Sequence, residues 1–258
     1  MSEDALIGST GFIGGTLLRA RSFDACFNSA NIETMRGREF RTIVCAGARA
    51  EKWKANREPE IDRQGIDALC DVLSTVRAQR FVLISTVDVF ADPCGVDELS
   101  PVPTGELYAY GANRRHLETF VANTFPAIIL RLPGVYGQGL RKNVIYDLLH
   151  ANEVEKIDSR AVFQFYGVHR LNDDIGRALE LDIGLMHLTT EPVPVSEIAK
   201  NAFGLDFVNE VAHHPARYDV RTRYASAFGG SGRYLENTEQ VVTGVKEFVS
   251  RERAGISA

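Results

Sequence analysis

Short, nearly continuous apolar runs punctuate the chain: "ALIG" (5–8), "ACF" (25–27), "TIVCA" (42–46), "RFVLIS" (80–85) and "AIILRL" (127–132). Runs of this length without polar alternation predict strands covered on both faces, and the longer stretches between them carry helical periodicity. Between the third and fourth runs, Ile61, Ile66, Leu69, Val72, Leu73 and Val76 recur at helical spacing and predict a crossover helix. Repeated βαβ units of this kind predict an α/β fold, a doubly wound parallel sheet. After residue 132 the pattern loosens. Helices are expected at "NVIYDLLHAN" and "NDDIGRALEL" and a strand at "VFQFYGV"; "EPVPVSEIAKNAFG" reads as part of a small second lobe, and the polar C-terminal "SRERAGISA" is expected to fray. Residues 1–132 are therefore expected to form the main core, and 133–258 the interleaved remainder plus the lobe.

Composition narrows the function. With 258 residues the chain suffices for one substantial domain and a small appendage. A formal charge of −5 offers no basic surface, which argues against nucleic acid as a partner. No apolar run approaches the roughly 18 to 20 residues of a membrane span. The acidic start "MSEDALIGSTG" lacks the features of a secretory signal, so a cytoplasmic location is expected. The four cysteines show no paired spacing and are expected as reduced thiols, with no metal site.

Candidate chemistry begins at "ALIGSTGFIGGTLLRA". Gly8, Gly11 and Gly14 follow a strand and open a helix, a context that lets a diphosphate approach the backbone and the free N–H groups of the helix. A dinucleotide is the expected ligand. Many NAD sites place an acidic residue after the second strand. Here "CFNSANIETMRGR" offers Asn28, Ser29 and Asn31, with Arg36 and Arg38 nearby, which inclines the reading slightly to NADP; equally, these are residues suited to a turn.

Taken in order, "GSTGFIGG" (8–15), "VCAGA" (44–48), "STVDVF" (85–90), "YGANRRHLE" (110–118), "RLPGVYGQG" (131–139) and "LNDDIGRALE" (171–180) resemble the extended short-chain dehydrogenase/reductase family, also called the NAD-dependent epimerase/dehydratase family. The resemblance spans essentially the whole chain and is nearest the dTDP-4-dehydrorhamnose reductase branch. It implies a Rossmann-type fold, an NAD(P) cofactor, a homodimer, and a catalytic set of hydroxyl, tyrosine and lysine. Thr86 matches the hydroxyl and Tyr110 the tyrosine; Arg114 stands where the lysine is usual. The resemblance also implies cofactor contacts from Gly8, Thr10, Gly11, Phe12, Ile13, Gly14, Asn28, Ser29, Ala46, Gly47, Ala48, Tyr110, Arg114 and Pro133.

Spacing alone does not single out Tyr110, since Tyr166 also has an arginine four positions on, Arg170. Its place 24 residues after Thr86 and ahead of a helical run does. On a helix, Arg114 would share a face with Tyr110, and a nearby cation favours phenolate. Arginine, however, is bulkier than lysine and stays protonated, so reduced or altered chemistry is expected. Arg115 should face elsewhere, and Glu118 should pair with Arg114 or Arg115 at the surface.

In this reading nicotinamide exchanges hydride with a carbon bearing a hydroxyl or carbonyl, Tyr110 moves the oxygen's proton and Thr86 hydrogen-bonds it. Dehydration is disfavoured, because Val87 stands where the dehydratase acid belongs, leaving only Asp88. The expected substrate is a nucleotide-linked sugar, with Asp88, Asn143 and Arg170 as contacts. Lys52, Trp53 and Asn56 in "AEKWKAN" are expected to border the cleft, Trp53 in core or lid packing. The alternative is a dinucleotide-binding or sensing protein with weakened catalysis.

Overall fold

A computed structural model describes residues 3–102, 105 and 107–256. The chain divides into two units: Met1–Asp92, Ser100–Arg131 and Leu171–Met186 form the first, and Pro93–Leu99, Leu132–Arg170 and His187–Ala258 the second.

The first unit is an α/β sandwich. Strands β1 (Asp4–Ile7), β2 (Ala25–Phe27), β3 (Glu39–Cys45) and β4 (Arg77–Thr86) pair in parallel, and Ala127–Leu132 and Leu185–His187 complete a six-stranded sheet. Its order is β2, β1, β3, β4, Ala127–Leu132, Leu185–His187, so the direction of winding reverses between β1 and β3. Ligands of open α/β sheets bind outside the carboxyl ends of the strands at such a switch point.

Both faces of the sheet are covered, as the apolar runs predict. Ala5, Ile7, Ile43, Cys45, Phe81 and Leu83 join a core with Ile66, Leu69 and Leu73 of helix α3 (Pro59–Leu73) and Leu117 and Val121 of α4 (Ala109–Thr124). Between them in the strands, Leu6, Val44 and Val82 are equally buried. Helix α1 (Phe12–Ala20) packs with the helix Leu171–Glu180. The crossover helix ends at Leu73, before Val76, and Ile61, in its first turn, is 56% exposed.

The second unit is built from three short strand pairs: Gly134–Tyr136 with Phe165–Gly167, Val162–Phe163 with Val193–Pro194, and Cys94–Val96 with Asp219–Val220. The single strand expected at 162–168 is split at Gln164. Its buried amide instead donates to the Val220 carbonyl at 2.8 Å and accepts from the Val220 N–H at 2.8 Å, as a strand partner would. The last helix runs Thr238–Ile256, anchored by Val241, Val245, Phe248 and Val249. The segment expected to fray is thus helical through Ile256, since a helix already seated by its apolar stripe continues at little cost.

All four cysteines are free thiols. Burial pushes Cys45 up to about 12 and Cys70 up to about 11, so neither is a nucleophile at neutral pH. Among the described residues no helix is long and apolar enough to cross a membrane.

Candidate active site

The glycine turn leaves β1 at the switch point. Gly8 has φ +86°, open to glycine at no steric cost, and a Cβ there would lie 2.3 Å from the Ala46 carbonyl oxygen at the end of β3. Gly14 lets α1 close onto the turn: a Cβ on it would lie 2.1 Å from the Gly8 carbonyl oxygen. Gly11 is the N-cap and supplies no side-chain cap, and the first turn of α1 holds no acidic residue. The N–H groups of Phe12, Ile13 and Gly14 therefore lack intrahelical acceptors. Together with Thr10 and with Ala46, Gly47 and Ala48 after β3, this cradle fits an anionic diphosphate, which the positive end of α1 would attract.

Beyond β2 the polar residues close a turn. The Asn28 side chain accepts from the Ala30 N–H at 2.8 Å, and Asn31 accepts from the Asn28 N–H at 2.7 Å, while Ser29 is exposed. Arg36 is paired with Glu33 and Asp71, and Arg38 with Glu3.

Thr86 ends β4, where its hydroxyl accepts from the Asp88 N–H at 3.1 Å and so caps a single 3-10 turn, Val87–Val89. That turn lies directly under the start of α4: a Cβ on Gly111 would fall 2.1 Å from the Asp88 carbonyl oxygen. The close approach fixes Tyr110, one residue earlier, beside Thr86 and Asp88. The Tyr110 N–H, without an intrahelical acceptor so near the N-terminus, donates to the Asn56 side chain at 2.9 Å. Burial raises the Tyr110 phenol above its ordinary value. Arg114 opposes that shift, Asp88 adds to it, and Lys52 and a hydrogen bond from Thr86 oppose it. The group is a neutral phenol at physiological pH, holding a proton it can give.

Arg114 does share the Tyr110 face, but its guanidinium lies over the ring, 4.0 Å from the centroid. It is 3% exposed and pairs with Asp62 on α3, with the Arg49 carbonyl and, at 3.4 Å, with the Tyr110 carbonyl. Asn113 donates to the same Asp62 carboxylate at 2.8 Å. Asp62 carries no local sequence signal, because its partners lie 51 and 52 positions away.

Lys52 and Asn56 stand on the short helix α2 (Lys52–Arg57), and the Lys52 ammonium is 2.7 Å from the Asp88 carboxylate. Trp53 departs from the expected core or lid packing: it is 60% exposed, with Arg57 over its ring. A six-residue helix can point only one face inward, and Ala55 and Asn56 occupy it.

Glu118 also departs from expectation. It is fully buried rather than at the surface, accepting from Arg131 at 2.9 and 2.7 Å, from the Ser85 hydroxyl at 2.6 Å and from Arg115 at 3.1 Å. The signal for this was Arg131 inside the apolar run "AIILRL", because a charge in a buried strand needs a partner.

In the second unit, Asn143 adopts φ 108° and caps the helix Val144–His150, accepting from the Ile145 and Tyr146 N–H groups and donating to the Val135 carbonyl at 2.8 Å. Arg170 is paired with Glu236 and donates to the Phe228 carbonyl. Pro133 is half-buried between the strands Ala127–Leu132 and Gly134–Tyr136.

Solved structures share this architecture. A dTDP-4-dehydrorhamnose reductase from Clostridium acetobutylicum aligns over 97% of this chain and 99% of its own, at 17% identity and TM-score 0.73. The same enzyme from Bacillus anthracis, in complex with NADP, aligns over 97% and 99%, at 19% identity and TM-score 0.72. A UDP-N-acetylglucosamine 4-epimerase from Methanobrevibacter ruminantium, in complex with UDP-N-acetylmuramic acid, aligns over 99% and 100%, at 13% identity and TM-score 0.71. No curated protein matches the sequence. Residues 22–164, more than half of the chain, match a family model, and with the glycine cradle and the Thr86/Tyr110 pair just ahead of and within that span, the protein belongs to the NAD dependent epimerase/dehydratase family.

Proposed function

We propose that this protein is an NAD(P)-dependent reductase or epimerase acting on a sugar, specifically a nucleotide-linked one, with Tyr110 as its acid/base. The observation that carries the reading is the buried, protonated Tyr110 phenol beside Thr86 at the carboxyl end of β4, in the unit whose glycine cradle opens at the carboxyl end of β1. The nicotinamide, when bound, supplies or accepts hydride. Tyr110 gives its proton to a carbonyl oxygen under reduction, or takes it back in the reverse direction, and the Thr86 hydroxyl holds that oxygen in place. The cradle binds the diphosphate, and Asp88 is assigned to the sugar. The neutral Asn28 and Ser29 directly after β2 and the NADP bound to the Bacillus anthracis reductase favour NADP over NAD. A nucleotide sugar is favoured by the ligand of the Methanobrevibacter epimerase.

A second reading, a dinucleotide-binding protein with weakened catalysis, is favoured by Arg114, whose guanidinium is committed to Asp62 and the Arg49 carbonyl. The two readings separate in one series. A thermal-shift screen with NAD(H), NADP(H) and dTDP- and UDP-sugars identifies ligands, since a ligand that binds the folded state raises its stability. Turnover of the sugar that binds is then compared with Tyr110→Phe. The catalytic reading expects a loss of about 100-fold or more with NADPH affinity unchanged. Retained turnover in Tyr110→Phe defeats the assignment of Tyr110, and coenzyme binding without turnover of any sugar selects the second reading.

A further inference from the structure

The arrangement around Tyr110 raises a question that Arg114 does not answer. A tyrosine acid/base is tuned by a cation that reaches its phenol, yet Arg114 sits over the ring, 4.0 Å from its centroid, with its two terminal nitrogens bonded to Asp62 and to the Arg49 and Tyr110 carbonyls and its Nε buried without a partner among the described residues. We propose that Lys52, from a different element of the fold, is a second cationic partner of Tyr110 beside Arg114, which also packs the ring. This rests on the reading of Tyr110 as the acid/base.

Three observations carry the inference. Lys52 and Asn56 are one helical turn apart on α2 and so share a face, and Asn56 is hydrogen-bonded to the Tyr110 N–H at 2.9 Å. The helix that bears the ammonium is thereby tied to the residue it serves. The ammonium itself is held 2.7 Å from Asp88, whose N–H is bonded to Thr86 and whose carbonyl packs under Gly111. The lysine therefore ends in the same small cluster as the Thr86 and Tyr110 hydroxyls, although it lies 58 positions before Tyr110 in the chain. Finally, Lys52 is 43% exposed. It remains in contact with water, where an ammonium can exchange protons and a buried guanidinium cannot.

The charges facing the phenol are Arg114 on α4, Asp88 on the 3-10 turn and Lys52 on α2, with Asp62 of α3 behind Arg114. Each has a definite sign. Removing Lys52 should make the phenol harder to ionise, and removing Asp88 should make it easier.

The test reads the phenol directly and needs neither substrate nor coenzyme. Protein carrying 13Cζ-labelled tyrosine is titrated by NMR up to pH 11, with the Tyr110 resonance assigned by its loss in Tyr110→Phe. Lys52→Gln is expected to raise the Tyr110 midpoint by about half a unit or more, Lys52→Arg to restore it, and Asp88→Asn to lower it. The circular dichroism spectrum of each variant confirms that it is folded. A Lys52→Gln titration that overlays the wild type overturns the proposal, as does a wild-type resonance that does not begin to move by pH 11. Turnover lost in Tyr110→Phe together with an unmoved midpoint in Lys52→Gln defeats this inference alone. Turnover retained in Tyr110→Phe removes the acid/base reading and this inference with it.

Discussion

Replacing Glu118 by alanine should be among the most damaging single changes in the first unit. Its carboxylate accepts two hydrogen bonds from Arg131, which is itself 2% exposed, and one from Ser85. Truncating one partner of a buried ion pair leaves the other charge without compensation and costs about 3–5 kcal/mol. The Ser85 hydroxyl, losing its acceptor, adds about 1 kcal/mol. Arg115 contributes little, because it is half-exposed and can turn to water. Against a total stability of about 5–15 kcal/mol, a loss of about 4–6 kcal/mol is severe. Urea denaturation followed by circular dichroism measures it. The control removes the whole polar cluster: Ser85→Ala, Glu118→Leu and Arg131→Met together should be far closer to wild type than Glu118→Ala alone, since apolar replacement of a buried pair is often neutral. A Glu118→Ala cost below about 1 kcal/mol, or a triple variant as unstable as the single one, would refute the reasoning.

Two further outcomes follow from close contacts and charge. Gly14→Ala places a methyl group 2.1 Å from the Gly8 carbonyl oxygen, so isothermal titration should show NADPH binding lost or weakened at least about tenfold, whereas Gly65→Ala, with nothing within 4 Å, should bind normally. Asp158 is held far below the ordinary carboxylate range, first by Arg160 and then by the backbone N–H groups of Ala212, Val211 and Arg160, which outweigh the opposing effect of burial. Because its folded-state value is depressed, its stabilisation is complete above the unfolded value of about 4 and is lost as the pH falls below it. Asp158→Asn should therefore flatten the acid limb of a stability profile between about pH 4 and pH 2; an unchanged slope would show that the acid limb belongs to other groups.

The main sheet was legible because its signal is local. An apolar run such as "RFVLIS" between helical stretches has few interpretations, and the glycine turn announced its geometry. What escaped the sequence were partners brought together from a distance. Tyr110 and Arg114 were correctly placed on one helical face, yet spacing could not say that Asp62 would claim the guanidinium. Glu118 looked like a surface charge because its partner, Arg131, is on another element. Trp53 was expected at the border of the cleft in core or lid packing, and the short helix that carries it directs Ala55 inward instead. Side chains that bridge elements are set by packing, and packing leaves only faint traces in a linear pattern.

Helix α2 joins two tasks within a single turn: it closes the amino end of α4 through Asn56 and places a charge through Lys52. Inserting one residue between them would swing one side chain about 100° away from the other, so the stretch 52–56 should tolerate substitution at Trp53 far more readily than any change in length. A change of the acidity proposed for Tyr110 is thus best begun on a helix to which that tyrosine does not belong.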